Sequence, residues 1–209
     1  MLPTEFRPTR FADLIGPAGT VGRVIAAKVA RLKAAPGNAS YKAVFYGPPG
    51  TGKTQLAQIT ALALSDDRLA IEEISGLQVN IEVVKQWIHG SGMGGLFGDW
   101  QIKVVHEMDR IPPAAQDLLL QYLDLLPAKC GFIGTSNLAI DALQERFQTR
   151  LQTWKILGPT SDEIAGLLRT RWPVDAATAN TIGCGCGGNV RAALLDLESH
   201  LDVQLSLAA

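Results

Sequence analysis

The stretch GPPGTGKT, from Gly47 to Thr54, combines the residue types that phosphate binding needs. It fits the pattern G-x-x-x-x-G-K-[ST], in which glycines let successive backbone N–H groups surround a phosphate. Lys53 would place a positive charge on the β- and γ-phosphates of a nucleotide, and the Thr54 hydroxyl would ligate Mg²⁺. We therefore expect nucleotide contacts from Gly47, Pro48, Pro49, Gly50, Thr51, Gly52, Lys53 and Thr54.

Alternating strand and helix patterns surround this loop. The segments that are typical of strands are KAVFYG, LAIEEISG, QIKVVHE, KCGFIGTSN and TWKIL. The segments that are typical of helices are residues 21–34, KTQLAQITALALS, NIEVVKQWIHG, PAAQDLLLQYLDLL and a short helix from about Asp141 to Arg146. Such alternation implies crossover connections, and hence a largely parallel α/β sheet with helices on both faces. The glycine-rich stretch GSGMGGLFGDW predicts a mobile loop.

The strand patterns stop after LGPT, at residues 157–160. The remaining segments SDEIAGLLRTRW, DAATANTIG and GGNVRAALLDLESHLDVQL favour helices. Ser161, which precedes an acidic pair and an apolar stripe, is the predicted N-cap of the first of them. We expect an α/β domain at residues 1–158 and a small all-helical domain at residues 159–209.

The composition is that of a folded protein with no general attraction to nucleic acid. Hydrophobic residues make up 47% of the 209 residues, charged residues 19%, and the formal net charge is -1. Any binding to DNA must therefore rest on a local patch or on the shared surface of an oligomer. The N-terminus lacks the apolar core of a signal peptide, and no apolar run reaches about 18 residues. We expect a cytoplasmic protein with no membrane partner.

Three cysteines, Cys130, Cys184 and Cys186, do not form a disulfide framework. Their number is odd, and the sequence CGC places two of them too close for an ordinary disulfide. The three histidines are scattered along the chain. We interpret the cysteines as reduced thiols rather than metal ligands.

With the phosphate loop in place, the whole chain resembles the AAA+ ATPases, which are P-loop NTPases. Within them it resembles the clamp-loader group that includes the replication factor C small subunits. FRPTRFADLIG resembles the segment that touches adenine, GPPGTGKT the Walker A loop and VVHEMD the Walker B strand. GFIGTSN resembles the sensor 1 strand, LQERF the arginine-finger region and GGNVRAAL the sensor 2 helix. The resemblance implies ATP and Mg²⁺ as cofactors, adenine contacts from Ile15 and Gly16, and a helical lid.

The resemblance also implies catalytic roles for four residues. Glu107 would polarise the attacking water. Asn137 would hold that water or the γ-phosphate, and Arg191 would close the lid onto phosphates bound by its own chain. Arg146 would act on a neighbour's nucleotide as an arginine finger, unless the nearby Arg150 does so. The alternatives are a turn residue for Asn137, a surface arginine for Arg191, and a solvated cation at a helix end for Arg146 or Arg150.

His106 stands where the resemblance places an aspartate that orients the water ligands of magnesium. A neutral imidazole still accepts one hydrogen bond but brings no negative charge toward the cation. We therefore expect a slow ATPase, or one that needs more magnesium, and a gain in turnover for His106→Asp at limiting magnesium. The alternative is that His106 packs at the strand end and another carboxylate, such as Asp109, compensates.

Two further departures concern assembly and DNA. Clamp-loader subunits usually carry adjacent arginines where this chain has Leu120 and Gln121, and the chain ends just after the lid, without a collar domain. The missing arginines weaken the case for a DNA-facing contact, and without the collar domain we do not expect a pentameric loader of the usual build.

The resulting prediction is an ATP-binding and ATP-hydrolysing oligomer of identical or related subunits, with each ATP at a subunit interface. The favoured role is linked to DNA, in replication, repair or a mobile element, with DNA and a protein as partners. The alternatives are a ring motor or protein remodeller, and a nucleotide-holding subunit that barely hydrolyses ATP because of His106.

Overall fold

A computed structural model describes residues 1–34, 37, 39–90, 100–138 and 145–208. The strands in these ranges are β1 (Tyr41–Tyr46), β2 (Ile71–Ser75), β3 (Gln101–His106), β4 (Cys130–Ser136) and β5 (Gln152–Lys155). They form one sheet in the order β2-β3-β4-β1-β5, and all neighbouring pairs are parallel. The predicted α/β fold is confirmed. Because the strands are parallel, the segments that follow β1, β3 and β4 meet at one edge of the sheet.

Helices cover both faces of this sheet. Those in the described ranges are α1 (Leu2–Glu5), α2 (Gly16–Ala34), α3 (Lys53–Ser65), α4 (Ile81–Gly90), α5 (Pro113–Asp124), α6 (Glu145–Gln148), α7 (Ser161–Arg171), α8 (Ala176–Gly185) and α9 (Val190–Ala208). Ile25 of α2 and Leu56 of α3 are fully buried against one face, and Val84 of α4 and Leu119 of α5 are buried against the other. All seven residues of β4 are buried, as expected for a central parallel strand.

The helices α7, α8 and α9 have a hydrophobic core of their own, which includes the buried residues Ile164, Ile182 and Leu197. The predicted helical C-terminal region is therefore present. The N-terminal segment also packs against this core, through Leu2, Phe6 and Ile15, and the Phe6 ring lies edge-on to Trp172 with 5.3 Å between centroids. The predicted assignment of residues 1–15 to the α/β domain did not anticipate these contacts.

Several predicted helix and strand boundaries differ from those in the structure. The N-cap of α7 is Thr160, not Ser161, because the Thr160 hydroxyl accepts from the backbone N–H of Glu163 while the Glu163 carboxylate accepts from that of Thr160. The helix predicted from Val21 begins at Gly16 instead, and β5 begins one residue before TWKIL. The predicted mobile loop falls largely on residues 91–99 and the helix from Asp141 largely on 139–144, which lie outside the described residues.

The structure describes all three cysteines and most of the helical residues. Cys130 and Cys186 are buried, Cys184 is exposed, and all three are free of disulfides. Across the described ranges, every helix is too short or too polar to cross a membrane.

Candidate functional site

A cavity of about 360 Å³ opens at the carboxyl ends of β1, β3 and β4, below α7 and α9. This volume lies within the range of small-molecule sites, roughly 300–1,000 Å³. The predicted site residues that line it are Ile15, Pro49, Gly50, Thr51, Gly52, Lys53, Thr54, His106, Glu107, Asn137 and Arg191. Gly16, Gly47, Pro48 and Arg146 are not among the residues that line the cavity. Residues distant in sequence are thus brought to one site.

The glycines of the phosphate loop are required by its backbone. Gly47, Gly50 and Gly52 have φ of 143°, 74° and 92°, a region that residues with a side chain rarely adopt. A Cβ on Gly47 would lie 2.1 Å from the carbonyl oxygen of Ile156, just after β5. The Thr51 hydroxyl donates to the carbonyl of Pro48 at 3.0 Å and closes the turn. Gly47 and Pro48 therefore support the conformation of the loop, although neither lines the cavity.

Lys53 is only 5% exposed, although it is one of the residues that line the cavity. Its Nζ donates to the carbonyl of Pro48 at 2.5 Å, so the charge is held inside the curve of the loop. Burial lowers the pKa of Lys53 to about 8, and the charge of Asp109 partly opposes this effect. A phosphate anion in the loop would favour the protonated ammonium.

The lid region lies directly on the phosphate loop. The backbone N–H of Val190 donates to the carbonyl of Gly50 at 3.0 Å. A Cβ on Gly50 would lie 1.8 Å from Oδ1 of Asn189, which also accepts from the backbone N–H of Ala192 in the first turn of α9. Arg191 follows at the start of α9 and lines the cavity. Sequence reasoning did not identify Asn189, although an asparagine before a helical pattern is a recognised capping signal.

Glu107 follows β3 in the left-handed conformation, with φ of 52° and ψ of 51°. Its backbone N–H donates to the buried Thr135 hydroxyl at 3.2 Å, and its carboxylate accepts from Nη1 of Arg110 at 2.9 Å. Positive φ is uncommon for a residue with a side chain, and such conformations cluster at functional sites. Thr135, which also lines the cavity, was missed by sequence reasoning. It lies in β4 two residues before Asn137, which follows the end of that strand.

His106 has a partner that the sequence did not reveal. Its Nε2 lies 3.0 Å from Oε2 of Glu73 on β2, and the same oxygen accepts from Nε2 of Gln58 at 2.8 Å. Burial opposes ionisation of Glu73, but the hydrogen bonds from Gln58 and His106 outweigh this, and the pKa of Glu73 is lowered. His106 Nδ1 and Asp109 Oδ1 are both buried and have no hydrogen-bond partner among the described residues.

The two candidate arginine fingers both contact α5. Nη1 of Arg146 donates to Asp117 at 2.8 Å, and its side chain is 58% exposed. Arg150 donates to both carboxylate oxygens of Asp124, at 2.8 and 2.9 Å, and is 32% exposed. Neither lines the cavity of its own chain.

The cavity suits a nucleoside triphosphate. Phe6, Leu14 and Leu167 provide apolar walls beside Ile15, whereas residues 49–54 provide backbone donors and the Lys53 charge. Across the described ranges, no cluster of three or more His, Cys, Asp or Glu side chains could hold a metal ion. Mg²⁺ commonly keeps several waters and binds through few protein ligands and substrate phosphates. Thr54, which lines the cavity, is the residue that would coordinate it directly.

Comparison with known proteins supports this interpretation. The family model described as "ATPase family associated with various cellular activities (AAA)" matches residues 43–156, more than half of the chain. Replication-associated recombination protein A of Bacillus subtilis is 28% identical over 94% of this chain and 47% of its own length. ATPase WRNIP1 of Dictyostelium discoideum is 33% identical over 59% of this chain and 13% of its own length. The chain thus spans less than half of either relative.

The fold is also that of a solved motor protein. The Thermotoga maritima RuvB Holliday junction branch migration motor superposes with a TM-score of 0.77 over 97% of this chain and 67% of that chain, at 19% identity. At this identity the likeness concerns the fold alone. The matched family model, the parallel sheet and the phosphate loop agree, and we conclude that this chain belongs to the ATPase family associated with various cellular activities (AAA).

Proposed function

We propose that this chain binds ATP with Mg²⁺ in the cavity and hydrolyses it. The observation that carries the proposal is the convergence of Lys53, Glu107, Asn137 and Arg191 on one cavity of suitable volume. Glu107 accepts the proton of the attacking water and Asn137 positions that water. Arg191 neutralises phosphate charge, and Thr54 ligates Mg²⁺, which when bound would neutralise charge on the phosphates.

We assign different roles to the α/β part of the chain and to the helical part that follows it. Residues 1–158 bind the nucleotide and residues 159–209 form the lid, with residues 1–15 packed against both. The backbone bond between Gly50 and Val190 joins the lid to the phosphate loop. A change in the conformation of the phosphate loop on nucleotide binding would therefore be transmitted directly to α9.

We further propose a DNA-linked role, in which an oligomer couples ATP hydrolysis to work in replication, repair or a mobile element. The support is the match to replication-associated recombination protein A, together with the resemblance to clamp loaders. A ring motor or remodeller is the competing function, favoured by the likeness in fold to RuvB. A subunit that holds nucleotide with little turnover is a third, favoured by His106 at the Walker B position.

ATP turnover measured with and without primed or single-stranded DNA tests the DNA-linked role. We expect stimulation by DNA, and binding that weakens with salt because phosphate contacts release counterions. Stimulation by a protein partner alone would favour the remodeller, and tight ATP binding with negligible turnover would favour the nucleotide-holding subunit. Absence of DNA binding at low salt with ATP present would exclude the DNA-linked role.

Hydrolysis at subunit interfaces predicts complementation between two inactive chains. Arg146→Ala should lower turnover of the assembled protein, because its charge would no longer reach the neighbour's nucleotide. We place Arg146 before Arg150 because its side chain is the more exposed of the two, at 58% against 32%. Mixing Arg146→Ala with Lys53→Ala chains should restore part of the turnover, since some interfaces then combine an intact loop with an intact arginine.

Arg150→Ala is the matched control for this experiment. If it lowers turnover and complements Lys53→Ala whereas Arg146→Ala does not, Arg150 is the finger. If neither variant complements Lys53→Ala in normally assembled mixtures, hydrolysis does not use an arginine in trans.

A further inference from the structure

The side chain of Glu73 links two elements of the nucleotide site without lining the cavity itself. Its Oε2 accepts from Gln58 on α3, the helix that follows the phosphate loop, and lies 3.0 Å from Nε2 of His106 at the end of β3. Side chains from α3 and β3 therefore contact the same carboxylate oxygen of Glu73. Such a contact fixes the orientation of the His106 ring more firmly than packing alone.

The contact with Glu73 also assigns the tautomer of His106. A carboxylate can only accept hydrogen bonds, so Nε2 carries the hydrogen and donates it. In a neutral ring Nδ1 is then the acceptor. Nδ1 is buried and lacks a hydrogen-bond partner among the described residues, although His106 lines the cavity. An acceptor without a partner, on a residue that lines the cavity, is suited to a water molecule bound to a cation.

We propose that Glu73 is a positioning residue that holds His106 in its Nε2–H tautomer, leaves Nδ1 free to accept from a cation-bound water, and supplies the negative charge that His106 lacks. This inference rests on the proposed binding of Mg²⁺ and ATP. Carboxylates that orient a histidine in this way tune metal sites elsewhere, and their loss typically costs about 10- to 100-fold in metal affinity or activity. The pair thereby takes over the role of the missing aspartate.

The tautomer can be tested without any nucleotide. ¹⁵N NMR of the histidine rings, with His106 assigned through a His106→Asn variant, should show Nε2–H and unprotonated Nδ1 in the wild-type chain. Glu73→Gln should change this signature, because an amide can donate as well as accept. Glu72→Gln is the matched control, since it removes the same charge from the adjacent residue, whose partners are Lys103 and Trp87. A wild-type ring protonated at Nδ1 would overturn the proposal.

The link to magnesium is tested by titrating Mg²⁺ against binding of a fluorescent ATP analogue. Glu73→Gln should raise the Mg²⁺ midpoint about 10-fold, Glu73→Asp less, and Glu72→Gln not at all. In a His106→Asp background the new carboxylate would face Glu73, so Glu73→Gln should lower the midpoint or leave it unchanged. An equal rise in both backgrounds, or no rise in folded Glu73→Gln, would reject the proposal. Failure of the wild-type chain to bind the analogue would instead contradict the proposed function.

Discussion

Lys53→Ala should abolish measurable ATP binding, lowering affinity at least about 100-fold. The ammonium group would bond to two phosphates, and each charge-assisted hydrogen bond contributes about 1.5–3 kcal/mol. The neighbouring backbone donors remain in the variant, so the loss reports the charge itself. Isothermal titration with ATP measures the effect, and thermal unfolding checks that the chain stays folded.

The buried position of Lys53 adds a dependence on pH. Its pKa of about 8 refers to the ligand-free loop, and phosphate binds the protonated form. ATP affinity should therefore be full below pH 8 and should fall as the pH rises above it. Lys53→Arg, which keeps the charge at all these pH values, should lack this fall in affinity. Unchanged ATP affinity in Lys53→Ala would contradict the assignment of residues 47–54 as the phosphate-binding loop.

Glu107→Gln should leave ATP binding intact and lower turnover about 10²- to 10⁴-fold, the usual contribution of a general base. The amide has nearly the same shape as the carboxylate but cannot accept the proton of water. Steady-state phosphate release measures turnover, and ATP titration measures binding on the same preparation.

Arg110→Ala separates this loss from a structural one. Glu107→Gln weakens the ion pair with Arg110 as well as removing the base. If turnover fell equally in Arg110→Ala, breaking the pair would suffice to explain the effect. Turnover of Glu107→Gln within a few-fold of the wild-type value would show that another residue activates the water.

The sequence by itself determined the fold class and the phosphate loop. The phosphate loop is specified locally, because the strand before it, the glycines within it and the helix after it are contiguous. The helical and strand patterns likewise predicted the parallel sheet and the helical lid region. The sequence also placed Glu107 and Asn137 after two parallel strands, whose ends meet at one edge of the sheet, and Arg191 at the start of a lid helix.

Only the tertiary structure decided which side chains pair across that edge. Glu73 lies 33 residues before His106, and their contact depends on the β2–β3 register and the Gln58 side chain on α3. The contact between Asn189 and Gly50 similarly requires the lid to lie on the loop. Neither contact leaves a periodic signal, because each joins single residues on separate elements. Hydrophobic patterns report which face of an element is buried, whereas polar partners are fixed by distances that exist only after the elements have packed.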